Sequence, residues 1–110
     1  MMRSIVMAAA TASIFLFGPA AHAAGDIAAG KEKSALCVAC HAEDGNSPST
    51  QFPIIAGQHA SYLEQALLDY KNGKRNNPIM LGIVAQLSEE DMANLAAYFA
   101  SQKGPLSTVK

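Results

Sequence analysis

The sequence predicts an all-α fold, with three main helices joined by two long loops, on three observations. No stretch sustains the apolar–polar alternation of a half-buried strand. Three segments have helical apolar spacing with start or stop residues at their ends. Between them lie two stretches rich in Gly, Pro, Ser and Asn. Loops of that length are uncommon in a small domain unless they have a function.

Asp26 is the N-cap of the first helix, which runs through Ile27, Ala28, Lys31, Ser34 and Ala35 to about Val38. Gly30 weakens that helix. Either it is simply tolerated, or it lets another helix approach closely. From Ala42 to Gly57 the chain is loop, centred on Gly45-Asn46-Ser47-Pro48-Ser49. The second helix spans Ala60 to Asn72: Tyr62, Leu63, Ala66, Leu67 and Tyr70 share one side, while Glu64, Gln65, Asp69 and Lys71 fall elsewhere. Gly73 ends it as the residue that adopts a left-handed turn. A second loop, Lys74 to Pro78, leads into Ile79-Met80-Leu81-Gly82, with a short helical turn at Ile83 to Gln86. Ser88 caps the last helix, with Glu89, Glu90 and Asp91 placed where the helix dipole favours acids. Met92, Leu95, Ala96 and Phe99 form its apolar stripe, with Tyr98 beside them, and Gly104-Pro105 stops it.

A length of 110 residues allows one domain. The balance of 8 basic against 9 acidic residues provides neither a basic patch for nucleic acid nor a charged tail. Aromatic residues make up 6% of the chain and Trp is absent, so the core is modest and gains from a staple, metal or cofactor. The start has the three-part layout of a secretory signal peptide. Arg3 carries the positive charge, Ile5 to Phe17 is uncharged and apolar, Gly18-Pro19 breaks the run, and Ala21-His22-Ala23 supplies the cleavage pattern. The apolar run is short for a membrane span of about 20 residues. The expected layout is therefore a cleaved leader at 1–23, a domain at 24–103 and a tail at 104–110. Export follows, with no stable membrane insertion after cleavage.

Cys37 and Cys40 are the two cysteines. A disulfide across two intervening residues closes too small a loop to contribute much as a staple. They belong to Cys37-Val38-Ala39-Cys40-His41, the Cys-x-x-Cys-His signature of c-type haem attachment. One helical turn places both sulfurs on one side for thioether bonds to the vinyl groups. His41 follows directly and reaches iron as an axial ligand. A thioredoxin-like dithiol would need a strand before the motif, and a zinc site would need a second ligand pair. Neither is readable in the sequence.

With these residues in place, the stretch from Asp26 to about Lys103 resembles a bacterial class I c-type cytochrome of the monohaem kind. It is similar also to one half of the dihaem periplasmic cytochromes. The resemblance is carried by Gly30-Lys31, the Cys37-to-His41 motif, Pro53-Ile54-Ile55-Ala56-Gly57-Gln58, Tyr62-Leu63, Gly73-Lys74-Arg75, Met80 and Leu95-Ala96-Ala97-Tyr98. It implies the class I cytochrome c fold around one covalent haem c. It implies a Pro53 backbone carbonyl on the second ring nitrogen of His41, Gln58 and Arg75 as donors to the haem propionates, and Gly30 against Tyr98 where the first and last helices cross.

The sixth ligand follows by elimination. Met1, Met2 and Met7 leave with the leader, and Met92 lies on the stripe of the last helix, so Met80 remains, in a loop free to turn inward. His59 is the rival, at the start of a helix, where an exposed or capping role is the simpler account. With His41 and Met80 both on iron, no site is open for substrate. The expected function is then a periplasmic single-electron carrier, not an enzyme, with transient redox donor and acceptor proteins as partners. The alternatives are a haem subunit of a larger exported oxidoreductase, or a haem peroxidase or gas binder if Met80 is not a ligand.

Overall fold

The structure, a computed structural model, describes residues 13–14 and 24–107. Apart from Ser13 and Ile14, the expected leader at 1–23 lies outside the described residues, as do residues 108–110 of the expected tail. Among the described residues there are five helices and no strand: α1 (Ile27–Lys33), α2 (Ala35–His41), α3 (Ala60–Lys71), α4 (Pro78–Val84) and α5 (Glu89–Ser101). No helix among them is long and apolar enough to cross a membrane.

Capping chemistry sets the element boundaries. The Asp26 carboxylate accepts the Ala29 amide at 2.8 Å and starts α1. The expected single helix from Asp26 to about Val38 is interrupted at Ser34. Its amide bonds the Gly30 and Lys31 carbonyls, and its hydroxyl donates to the Lys31 carbonyl at 2.6 Å. This serine competes with the helical ladder, and the chain restarts as α2. Gly73, at φ 76°, terminates α3. Ser88 and Asp91 form a reciprocal capping box at the start of α5, each side chain taking the other's amide at 3.0 Å.

The second loop is shorter than expected. Asn77 accepts the amides of Ile79 and Met80, both at 3.0 Å, and Pro78 occupies the first helical position, so helix α4 begins there. The expected helical turn at Ile83 to Gln86 is the end of this longer helix and the residues just after it. Met80 therefore lies in the first turn of a helix, not in a free loop.

Helix α5 is the centre of the packing. It crosses α1 and lies against α3, while α4 packs on α3. Val84, Leu87, Met92, Leu95, Tyr98 and Phe99 form the core, and four of those six lie on α5. Gly30 marks the crossing of α1 and α5. A Cβ there would fall on the Asn94 carbonyl and 2.8 Å from the Tyr98 Cβ. Asn94 also accepts the Asp26 amide at 2.8 Å, so the same helix turn secures the start of α1.

Replacing Gly30→Ala should destabilise the domain. Alanine gains about 1 kcal/mol of helix propensity. The added methyl meets backbone, which cannot rotate away, and overpacking of this kind costs about 1–3 kcal/mol. The expected result is a lower denaturation midpoint at unchanged m-value. A raised midpoint would show that α1 slides off α5 at little cost.

Candidate functional site: a cleft lined by Cys37, Cys40, His41 and Met80

Helix α2 presents three residues to one cleft. Cys37 and Cys40 are three positions apart and so lie on the same side of the helix, and His41 closes its last turn. All three line a cavity of about 320 Å³, with Pro53, Gln58, Arg75 and Met80 on the same lining. The fold therefore brings all seven sequence-predicted site residues to one place. His59 is exposed and absent from that lining, and Met92 is fully buried in the core away from it.

Burial, and then the neighbouring Cys40, push the Cys37 thiol up to about 11. A dithiol reductase needs the opposite, a lowered thiol that attacks as thiolate at neutral pH. The strand that would precede such a motif is also lacking among the described residues.

The His41 ring is buried, and its Nδ1 lies 2.8 Å from the Pro53 carbonyl oxygen. A carbonyl only accepts, so Nδ1 carries the proton and donates. That tautomer leaves the Nε2 lone pair available to a metal. The Phe52 ring stands edge-on to the imidazole, with centroids 6.4 Å apart.

Pro53 is brought to His41 by the loop between α2 and α3. The Gly45 carbonyl accepts the amides of Ile55 and Ala56 at 2.9 and 3.2 Å, closing the loop on itself. Gly45 has φ 83°, and a Cβ there would lie 2.9 Å from both the Ala56 nitrogen and the Phe99 ring, so glycine suits both the turn and the close approach. Helix α5 and the residues after it fasten the loop at three points. The Tyr98 hydroxyl donates to the Glu43 carbonyl at 2.8 Å, the Gly57 amide to the Phe99 carbonyl at 2.9 Å, and the Asn46 side-chain amide to the Lys103 carbonyl at 2.8 Å. Burial, and the nearby Glu43 and Asp44, push the Tyr98 phenol up, so it remains a donor at neutral pH. Ala42, between His41 and Glu43, has φ 67° and ψ 166° and is the one non-glycine residue with positive φ among the described residues. That region is almost exclusive to glycine and costs another residue about 1–3 kcal/mol.

The remaining walls come from α3 and α4. Leu63, Ala66, Leu67 and Tyr70 line the cleft, yet no residue of α3 is buried. The helix thus turns its apolar stripe towards the cleft. Met80, half-buried, is held by the Asn77 cap with its side chain on the lining. The Arg75 guanidinium lies 4.8 Å from the centre of the Tyr70 ring, a cation–π contact at the cleft edge. The Gln58 side-chain oxygen accepts the His59 amide at 2.9 Å.

Sequence reasoning missed two supports of this site. The first, the Asn77 cap, had a readable signal: Asn followed by Pro ahead of an apolar run is a helix start. The second, Tyr98 on Glu43, spans 55 positions and has no local signature.

The donor set fits a planar, apolar, metal-bearing group. Two sulfurs stand one helical turn apart, an imidazole has its tautomer fixed for ligation, a thioether enters from a separate helix, and the walls are apolar. The class this defines is the class I c-type cytochrome, with haem c attached through paired cysteines. The cytochrome c family profile matches residues 27–103, and the chain belongs to that family.

It is 55% identical over 83 residues to cytochrome c4 of Pseudomonas aeruginosa, covering 76% of this chain and 41% of that protein. Cytochrome c-554(548) of Halomonas halodenitrificans is 43% identical over 83 residues, covering 73% of this chain and 100% of that protein. The crystal structure of reduced recombinant cytochrome c4 from Pseudomonas stutzeri superposes with a TM-score of 0.70 at 46% identity, covering 74% of this chain and 47% of that one. The chain thus spans less than half the length of the cytochrome c4 relatives it matches.

Changing Cys37→Ala together with Cys40→Ala should abolish covalent haem, read as loss of the haem mass from the purified protein. Little folded protein should remain, because a group bound only to the native state adds its binding free energy to folding. A cooperative, native-like near-UV spectrum from the haem-free double variant would contradict this.

Proposed function

We propose that the chain is an exported single-electron carrier with one covalent haem c, attached through Cys37 and Cys40 and ligated by His41 Nε2 and Met80 Sδ. The observation that carries this reading is the convergence of His41 from α2 and Met80 from α4 on the cleft that the two cysteines line. Bound haem would supply a reversible one-electron centre, and ligation by a methionine thioether together with histidine would favour its reduced form. The protein's part is to hold, orient and shield. With His41 and Met80 both holding the metal, no site would be left open for substrate, which favours electron transfer through the cleft edge over chemistry at the metal.

The Pro53 carbonyl holds the Nδ1 proton of His41, fixing the ring and raising the basicity of its other nitrogen. Gln58 and Arg75 are the proposed donors to the propionate carboxylates. The stripe of α3, with Leu95 and Phe99 beneath, keeps water from the cleft. Around the rim, Tyr62 is 53% exposed and Ile79 60% exposed. With Ile54 they offer a small apolar surface suited to brief docking, at the low end of interface sizes, below about 1,200 Å². The leader pattern at 1–23 supports a periplasmic location. Native-size measurement separates a free carrier from a subunit of a larger exported oxidoreductase.

Axial ligation is tested by paired substitutions. Met80→Ala should remove the weak far-red methionine band of the ferric protein, lower the potential and admit carbon monoxide to the ferrous protein. Met92→Leu should do none of these, since it conserves apolar volume in the core. Loss of the band in Met92→Leu, with its retention in Met80→Ala, would overturn the assignment.

A further inference from the structure

We propose that Tyr98 and Ala42 are positioning residues for His41. The Tyr98 hydroxyl, acting through the Glu43 carbonyl, holds Ala42 in its left-handed backbone conformation, and the chain reversal there fixes the imidazole against Pro53. The inference rests on the reading of His41 as an iron ligand.

Ala42 is directly bonded to His41 in the chain and stands in a region of backbone space where a Cβ is disfavoured. A residue stays in such a conformation only where its surroundings over-determine it. Here they do so on both sides. The Ala42 amide donates to the Val38 carbonyl at 3.0 Å, its carbonyl accepts the Gly45 amide at 3.2 Å, and one residue further on the Glu43 carbonyl receives the Tyr98 hydroxyl at 2.8 Å. The first two bonds are local and move with the turn. The third ties the turn to α5, whose position is set by the core and by the Gly30 crossing. Tyr98 is buried and its ring packs against Phe99 with centroids 5.0 Å apart, so its hydroxyl is a fixed point.

The reversal at Ala42 has a direct consequence for the site. Had the chain continued as helix beyond His41, the loop would not turn back to set the Pro53 carbonyl 2.8 Å from Nδ1. An alanine at this position needs an external hold that a glycine would not need. The hydroxyl of Tyr98 is the one long-range hydrogen bond to residues 42 and 43 among those the structure shows.

The test uses the holoprotein in four forms: unmodified, Tyr98→Phe, Ala42→Gly and the double variant. The readouts are the paramagnetically shifted ring resonances of His41 in the ferric protein, the reduction potential, and exchange of the Ala42 amide. Tyr98→Phe removes one oxygen atom and keeps the ring. It should move the His41 ring resonances, shift the potential and speed Ala42 amide exchange by about tenfold, the scale of one lost hydrogen bond. In the double variant glycine adopts the conformation without the clamp, so those shifts should shrink by roughly half or more.

Ala42→Gly alone should raise the unfolding midpoint and leave the ring resonances in place, because relief of strain exceeds the usual entropic cost of glycine. Three results would overturn the proposal: a Tyr98→Phe protein that is merely less stable, with ring resonances and potential unmoved; a double variant showing the full Tyr98→Phe shifts; or a lowered midpoint for Ala42→Gly. Failure of the underlying ligand reading has a different signature. The unmodified ferric protein would then show no strongly shifted His41 ring signals at all.

Discussion

Helix α3 carries an apolar stripe that the polypeptide alone only half-buries. Leu63, Ala66, Leu67 and Tyr70 face the cleft, while the core proper is assembled from α5 and the residues around α4. Fully burying a leucine side chain is worth roughly 1.5–3 kcal/mol, and the half-buried Leu63 and Leu67 have realised only part of it. An apolar group seated in the cleft, as the proposed haem would be, would complete the packing of a whole helix. Such a group would let so small a chain dispense with a large aromatic core. It would also make folding and loading of the site a single thermodynamic problem.

With α4 joined to it through α3, most of what approaches that cleft is tied to α5. Its first turn meets Lys33 through Asp91 at 3.3 Å, its middle turn accommodates Gly30, and its last turns fasten the loop that carries Pro53. The Lys71 ammonium donates to the Leu87 carbonyl just before α5, tying the end of α3 to the same frame. A helix that contributes no proposed ligand thus holds the loop that orients His41, and reaches the helix of Met80 through α3. Substitutions on its inner face are expected to act on the site as well as on stability, because the two share the same contacts.

The parts legible in the sequence were those governed by neighbours in the chain. Asp26, Gly73 and Ser88 act through bonds spanning at most a few residues, and their roles follow from residue type and position. The Cys37-to-His41 spacing is likewise a local statement about one helical turn. Gly30 was readable as ambiguous, and the crossing of α1 and α5 settles it as a close approach. The break at Ser34 was not readable, because a serine inside a helical pattern is normally compatible with continuing it. Reading Asn76-Asn77-Pro78 as loop chemistry placed Met80 in the wrong kind of structure, since Asn-Pro marks helix starts as well as turns. The left-handed Ala42 was invisible for a deeper reason. Residue type argued against it, and the one long-range tie to that turn, the Tyr98 hydroxyl on the Glu43 carbonyl, spans 55 positions.

That opposition between local preference and tertiary hold bears on the proposed role. A carrier works best when its metal ligands stand in nearly the same place before and after each electron, whereas a sensor or gas binder requires one ligand to yield. In this chain each proposed ligand is held by more than its own side chain. Met80 sits in the first turn of a capped helix, where the ring of Pro78 at the first helical position fixes the backbone angle that starts the turn. His41 sits between a hydrogen bond to Pro53 and a backbone turn that the residue type of Ala42 disfavours. Such a conformation persists only where the surrounding structure over-determines it, so the turn is tied to the frame that packs around it. The restraint on both ligands, applied through the backbone and through two different helices, is what a single-electron carrier requires and what a ligand-exchanging haem protein would have to give up.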